Sequence, residues 1–210
     1  MKIIIGASGG IGGKLWWHYE EYEDVIGTYY TNDPVDLNII PLDITHTDEI
    51  NAFAESVDLD DELCLINCSG MNYNSMAHKA NIDKWVTTLI VNLVGPFDVI
   101  RAFLPHMRKH NYGRIINMSS VVAQMGVMGT SAYAASKAGL WGMTKAIAAE
   151  NKDKGITINN LNLGYMDAGM ALKLPVDKRG SIDNIINAID FLVDSDFVTG
   201  TSIDINGGLL

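Results

Sequence analysis

Met1-Lys-Ile-Ile-Ile-Gly6-Ala-Ser-Gly-Gly-Ile-Gly12 opens the chain with an apolar run that breaks on glycines, and a helical pattern carrying Leu15, Trp16, Tyr19 and Tyr22 follows from near Gly13. The stretch reads as strand, glycine turn, helix. Glycines at such a turn let backbone N–H groups approach a pyrophosphate at the positive end of a helix, with no Cβ in the way. A glycine triplet alone is a weak sign. The spacing Gly6, Gly10, Gly12 also differs from the ordinary dinucleotide fingerprint by one extra residue in its first gap.

Beyond the turn, apolar β-rich runs near 2–5, 24–29, 38–41, 62–67, 114–119, 156–162 and 202–206 alternate with longer helical patterns. That alternation predicts an α/β fold: a single-domain, Rossmann-type doubly wound parallel sheet with helices on both faces, spanning 1–210. A chain of 210 residues with 48% hydrophobic content has enough apolar side chains for one sheet core. No 18-residue uncharged apolar stretch is present, and Lys2 and Ile3 lead straight into the first strand, so a cytoplasmic protein is expected. The formal net charge of −10 argues against nucleic acid or an anionic membrane as partner, since neutralising phosphates needs clustered Lys and Arg. Cys64 and Cys68 alternate with Ile66 along a strand and read as buried thiols, and the five histidines form no ligand cluster, so no metal site is expected.

Chemistry is suggested by Ser131-Ala-Tyr-Ala-Ala-Ser-Lys137, which sets Tyr133 and Lys137 one helical turn apart, with Ser120 ending the run Ile115-Ile-Asn-Met-Ser-Ser. A phenol with a pKa of roughly 10 exchanges protons poorly near neutrality, and an ammonium one turn away favours phenolate. Each unit of lowering needs about 1.4 kcal/mol of differential interaction. A tyrosine and lysine sharing an exposed helix face is the plainer reading of the pair by itself.

The glycine spacing together with the Tyr-x-x-x-Lys pair resembles the short-chain dehydrogenase/reductase family, and the resemblance runs along essentially the whole chain. That family's Thr-Gly-x-x-x-Gly-Ile-Gly turn matches Ile5 to Gly12 with isoleucine for threonine, and its Asn-Asn-Ala-Gly strand end matches Asn67-Cys-Ser-Gly70. Its helix asparagine matches Asn92, its serine Ser120, and its closing Gly-Gly strand Thr199 to Gly208. The resemblance implies hydride transfer between a nicotinamide and a carbonyl carbon, with Tyr133 as general acid/base, Ser120 polarising the carbonyl oxygen, and Lys137 lowering the tyrosine pKa and holding the ribose. Asn92 would order a proton-relay water. It further implies cofactor contacts at Gly6, Ser8, Gly10, Ile11 and Gly12, at Asn67, Ser69 and Gly70, and at Gly164 and Met166. Asp43 would bind the adenine amino group and Ile44 line the ring, although Asp43 could equally cap the helix starting near Thr45 or Thr47. Tyr165 is expected, with Ser120 and Tyr133, to touch substrate.

The pattern departs from the family at four places. Leu163-Gly164 replaces Pro-Gly, Ala168 replaces a threonine that contacts the carboxamide, five residues separate Met170 from Val176, and only Tyr30 to Leu37 joins strands two and three. The shortened loop predicts a shallow, solvent-open cleft. Strand two ends Thr28-Tyr-Tyr-Thr-Asn32 without an acid to bind a ribose 2′-hydroxyl, so Thr28, Tyr30 and Thr31 could surround a 2′-phosphate. The cofactor expected is NADPH in preference to NADH, despite Asp33 and Asp36 nearby. Within the family, Gly113-Arg-Ile-Ile-Asn-Met-Ser-Ser and Gly155-Ile-Thr-Ile-Asn are most similar to 3-oxoacyl-[acyl-carrier-protein] reductases. Those enzymes dock an acidic carrier through basic residues, yet here Asn111 falls where an arginine would stand. The substrate is therefore a small carbonyl, free or carrier-bound, with sugar-derived, pterin and secondary-metabolite ketones as alternatives. A non-catalytic nicotinamide-nucleotide-binding protein is the reading from another class. A homo-oligomer, dimer or tetramer, is implied through the small-residue helix Ser131 to Glu150 and the long helix before it.

Overall fold

The computed structural model describes residues 1–31, 39–59, 61–173, 176 and 178–209. Strands β1 (Lys2–Ile5), β2 (Val25–Tyr29), β3 (Ile39–Pro41), β4 (Cys64–Asn67), β5 (Gly113–Ser120), β6 (Ile156–Leu163) and β7 (Ser202–Ile205) form one sheet in the order β3-β2-β1-β4-β5-β6-β7. Every pairing is parallel. The chain order reverses between β1 and β4, so loops leaving their carboxyl ends diverge and open a crevice there.

Both sheet faces are buried, which is why the strands read as unbroken apolar runs instead of alternating ones. Ile3, Ile5, Leu65 and Ile115 pack with Val99, Ile100, Phe103 and Ile147 of helices α4 (Gly95–His110) and α5 (Ser131–Asn151). Ile4, Ile66, Ile116 and Leu161 meet Leu15 and Trp16 of α1 (Gly10–Glu20) and Ile185 and Ile189 of α6 (Ile182–Asp194) on the opposite face. Helix α2 (Thr47–Ser56) adds Ile50 and Phe53 to the first cluster.

Helix α1 starts at Gly10, three residues before the sequence pattern suggests. Glycine is a poor helix former, so the first turn carries no apolar signal of its own. Helix α3 (Ile82–Leu89), a π-turn over Ile90–Val94 and α4 run on continuously. Ile82–His110 is long and apolar enough to cross a membrane, with a mean hydropathy of 1.4 in its most apolar window. In this fold its Val99, Ile100, Phe103 and Met107 stripe is instead buried against the sheet. It ends at Asn111, whose φ of 51° is a left-handed conformation asparagine tolerates.

A buried amide ladder crosses the sheet. Asn67 Nδ2 donates to Asn117 Oδ1 at 2.7 Å, Asn117 Nδ2 to Asn160 Oδ1 at 3.2 Å, and Asn160 Nδ2 to Ser202 Oγ at 3.1 Å. Thr144 of α5 closes it, donating to Asn160 Oδ1 at 2.8 Å. A one-residue slip of any of these strands would orphan buried amides, so the ladder fixes the register that places the ends of β4 and β5 side by side.

Candidate active site

Gly6 leaves β1 with a φ of +85°, and a Cβ there would lie 3.0 Å from Ser69 N. At Gly12 it would fall 2.2 Å from Gly6 O, and at Gly10 2.4 Å from Gly169 N. The turn is therefore packed backbone against backbone between β1, β4 and the chain after β6. Gly9 caps α1 without a side-chain hydrogen bond, and no acid occupies the first turn. The helix thus presents its positive end to a ligand, and the buried Ser69 Oγ beside the turn has no hydrogen-bond partner among the described residues. A bare cradle, an open helix N-terminus and an orphan hydroxyl fit the pyrophosphate of a dinucleotide.

Ser120 closes β5, where its Oγ accepts from Val122 N at 3.2 Å, and its hydroxyl lies near enough to the Tyr133 phenol to favour the phenolate. Burial raises the Tyr133 pKa above its ordinary value, and Ser120 offsets only part of this. Lys137, one turn along α5 and buried, donates from Nζ to Met118 O at 2.7 Å, with Nζ 5.7 Å from the Tyr133 ring centre. Burial pushes its pKa down to about 8. The expectation that Lys137 depresses the tyrosine pKa is thus not met in the chain alone. The ammonium is turned to the Met118 carbonyl, and burial dominates at the phenol. Asn92 sits fully buried in the π-turn, a feature that commonly marks functional positions. Its Oδ1 accepts from Met71 N at 2.8 Å, and its Nδ2 donates to Met71 O at 2.8 Å and Ser136 Oγ at 3.1 Å. This amide clamps the loop after β4; a Cβ at Gly70 would lie 3.5 Å from Asn92 Oδ1 and 3.7 Å from Lys137 Nζ.

Ser120, Tyr133 and Lys137 line a cavity of about 510 Å³, which also meets Ile11, Ser69, Gly70, Gly164, Tyr165 and Met166. That volume falls within the range usual for small-molecule sites, roughly 300–1,000 Å³. The chain beyond β6 is cinched at its base. Gly180 N donates to Tyr165 O and Asp167 N to Gly180 O, both at 2.9 Å, while Lys14 Nζ reaches Asp167 O at 3.0 Å. A short 3-10 turn, Gly169–Lys173, therefore lies against the start of α1. Leu174, Pro175 and Asp177 of the shortened loop lie outside the described residues, as do Asp33 and Asp36.

Other expected contacts are placed differently. Thr28 is buried, its Oγ1 accepting from Gly6 N at 3.2 Å, so it holds the glycine turn from beneath. Tyr30 is exposed and its hydroxyl lies near Asp43. Asp43 does not cap α2, whose N-cap is His46; its Oδ1 instead accepts from Thr45 N at 2.9 Å and Thr45 Oγ1 at 2.8 Å. Burial raises the Asp43 pKa, but the Thr45 bonds outweigh it, His46 and Tyr30 assist, and the net shift is downward. Ile44 is buried against Gly95 at the start of α4, and Asn67 points into the amide ladder. Ser8 is half-buried on the turn. Free thiols occupy 64 and 68; burial pushes both up to about 12, and Cys68 faces the cavity. The Met118 carbonyl and Ser136 were not foreseen as parts of the site. Backbone groups leave no sequence signal, whereas Ser136, directly before Lys137, donates to Tyr133 O at 2.7 Å and could have been suspected from its position.

A parallel sheet with a bare glycine turn at its switch point, and a serine and a tyrosine with a buried lysine across the crevice, mark the dinucleotide-binding type of α/β fold. The chain belongs to the short chain dehydrogenase family, whose profile matches residues 1–179. It is 37% identical over 159 residues to an acetoacetyl-CoA reductase of Allochromatium vinosum, the match spanning 69% of this chain and 65% of that protein. To a 3-oxoacyl-[acyl-carrier-protein] reductase of Rickettsia bellii it is 33% identical over 237 residues, 99% of this chain and 95% of that one. The fold matches the solved structure of ElxO with NADP bound at a TM-score of 0.87 and 23% identity, covering 99% of this chain and 97% of that chain.

Proposed function

We propose that this chain is an NADPH-dependent ketone reductase that also accepts NADH less well. The observation that carries the reading is the Ser120–Tyr133 hydroxyl pair at a cavity that the glycine turn and Lys137 also reach. When bound, the reduced nicotinamide supplies the hydride that adds to the carbonyl carbon. Ser120 donates a hydrogen bond to the carbonyl oxygen, and Tyr133 transfers its proton to that oxygen, giving a secondary alcohol. A phenol raised by burial stays protonated through neutral pH, which suits it to donate in the reducing direction. Lys137, with its pKa near 8, is the group able to return the proton to Tyr133, and Asn92 holds the Met71 backbone in the loop after β4.

The preference for NADPH rests on the neutral end of β2 at Tyr29 and on the NADP carried by the ElxO structure. A CoA- or carrier-linked 3-oxoacyl group is the substrate class that the two named relatives suggest. The homo-oligomer surface we assign to α5 and the long helix before it, α3 to α4, on which Ile82, Val86 and Phe97 are exposed. The test is NADPH oxidation by the purified protein with a ketone panel, beside Tyr133→Phe. The account expects turnover that falls at least ~10²-fold in the variant while NADPH affinity stays. Near-wild-type turnover of the variant would refute the role of Tyr133.

A further inference from the structure

We propose a second ligand site, separate from the catalytic cavity, that takes the phosphate ester of a small organic molecule. A second cavity of about 500 Å³ is lined by Lys178 and Arg179, by Asn184 and Asn187 of α6, and by the chain around Asn206 at the end of β7. Among the described residues only Tyr165 lines both cavities. A chain with 25 acidic against 15 basic residues thus sets two consecutive cations at this one hollow.

The lining is biased toward donors. Asn184 Oδ1 accepts from Ser181 N at 2.9 Å, and Asn206 Oδ1 accepts from Gly208 N at 2.8 Å. Each amide spends its acceptor end on the backbone, which leaves its Nδ2 donors for a ligand. Asp204 is the one carboxylate among the described lining residues, and its Oδ1 accepts from Asn162 Nδ2 at 2.8 Å and Gln124 Nε2 at 3.1 Å. Its charge is therefore met by two amides outside the cavity lining. A guanidinium fork, an ammonium and amide N–H groups offer more donors than the two oxygens of a carboxylate use, whereas a phosphate monoester brings three oxygens and close to two charges. The cavity exceeds a bare phosphate, and Tyr165, Ile205 and Leu209 give it surface for an organic body. Because Tyr165 is a shared wall, the phosphate belongs either to the far end of the molecule being reduced or to a separate ligand.

The experiment is calorimetric titration of phenyl phosphate, with benzyl alcohol as its neutral counterpart, into the NADP-loaded chain, whose dinucleotide site is then filled. Phenyl phosphate should bind at least ~10-fold more tightly than the alcohol, and Lys178→Gln/Arg179→Gln should weaken it at least ~10-fold with the thermal melt unchanged. Lys178→Gln alone, at an exposed side chain, should weaken it about 3-fold. In the nitrogen-labelled protein the side-chain amide signals of Asn184, Asn187 and Asn206 should shift on addition. Equal binding of the alcohol, undiminished binding by the double variant, or amide signals that stay still would overturn the inference. Displacement of phenyl phosphate by 3-oxobutanoyl-CoA but not by ethyl 3-oxobutanoate assigns the site to the substrate's own handle; retention beside both assigns it to a separate ligand, and each supports a phosphate site. Binding is read without turnover, so phenyl phosphate bound by a chain that reduces no ketone would remove the reductase reading and leave this site standing.

Discussion

Replacing Lys137 by methionine should make the protein more stable and inactive. The lysine is 4% exposed, and its pKa falls from 10.5 to about 8 on folding because burial disfavours the ammonium. Between those two values the unfolded chain binds more protons than the folded one, so stability rises with pH through that window. The full penalty is present below pH 8. The difference of 2.5 units at 1.36 kcal/mol each corresponds to about 3 kcal/mol at pH 7. Methionine removes the charge at similar volume but leaves the Met118 carbonyl, now accepting from Lys137 Nζ at 2.7 Å, without a partner. That loss costs about 1 kcal/mol, for a net gain near 2 kcal/mol. For a domain of this size each kcal/mol moves Tm by about 2–4 °C, so Lys137→Met should melt roughly 4–8 °C higher at pH 7. Thermal melts of both proteins without cofactor, at pH 7 and pH 10, provide the assay, and the advantage should shrink at the higher pH. A variant that melts lower at pH 7, or whose advantage does not change with pH, would refute the burial argument.

The same titration predicts that ketone reduction declines as pH rises through about 8, where Lys137 loses the proton it relays; a pH–rate profile that stays flat to pH 10 would contradict this. Gly10→Ala places a Cβ 2.4 Å from Gly169 N and must push the 3-10 turn off α1, so NADPH affinity should fall at least ~10-fold while stability changes by less than ~1 kcal/mol, read by fluorescence titration and thermal melt. Tyr29→Asp, at the end of β2, should shift preference toward NADH, and unchanged relative affinities for the two cofactors would remove the argument from the neutral strand end. Phe103→Ala should destabilise by about 3–5 kcal/mol in urea, because Phe103 is fully buried against Phe53.

The sheet was legible because strands covered on both faces become continuous aliphatic runs, and Ile3-Ile-Ile, Leu65-Ile and Ile115-Ile each divide between the two cores as that reading requires. The start of α1 was not, since its first turn is Gly10-Ile-Gly-Gly and glycine carries neither propensity nor periodicity. Side chains that meet by chain-local geometry, such as Tyr133 and Lys137 on one turn, could be paired from spacing alone. The Asn92 clamp on Met71 and the Lys137 anchor on Met118 could not, because their partners are backbone atoms brought in by the fold. Thr28 shows the converse. Its place at the strand end was read correctly, but the strand's facing direction turned its hydroxyl beneath Gly6. An open cleft was expected from the short loop, and the cavity of about 510 Å³ has the exposed Met128 and Met170 in its lining, while Leu174, Pro175 and Asp177 of that loop lie outside the described residues.

The most direct test of the proposed chemistry is isotope transfer. NADPH deuterated at C4 on each face in turn is incubated with ethyl 3-oxohexanoate and the purified chain, and the alcohol is analysed by mass spectrometry and NMR. The account predicts a single deuterium on the carbinol carbon from one face only, formed at least ~10²-fold more slowly by Tyr133→Phe. Binding of NADPH without label transfer to this or any ketone of the panel would contradict it.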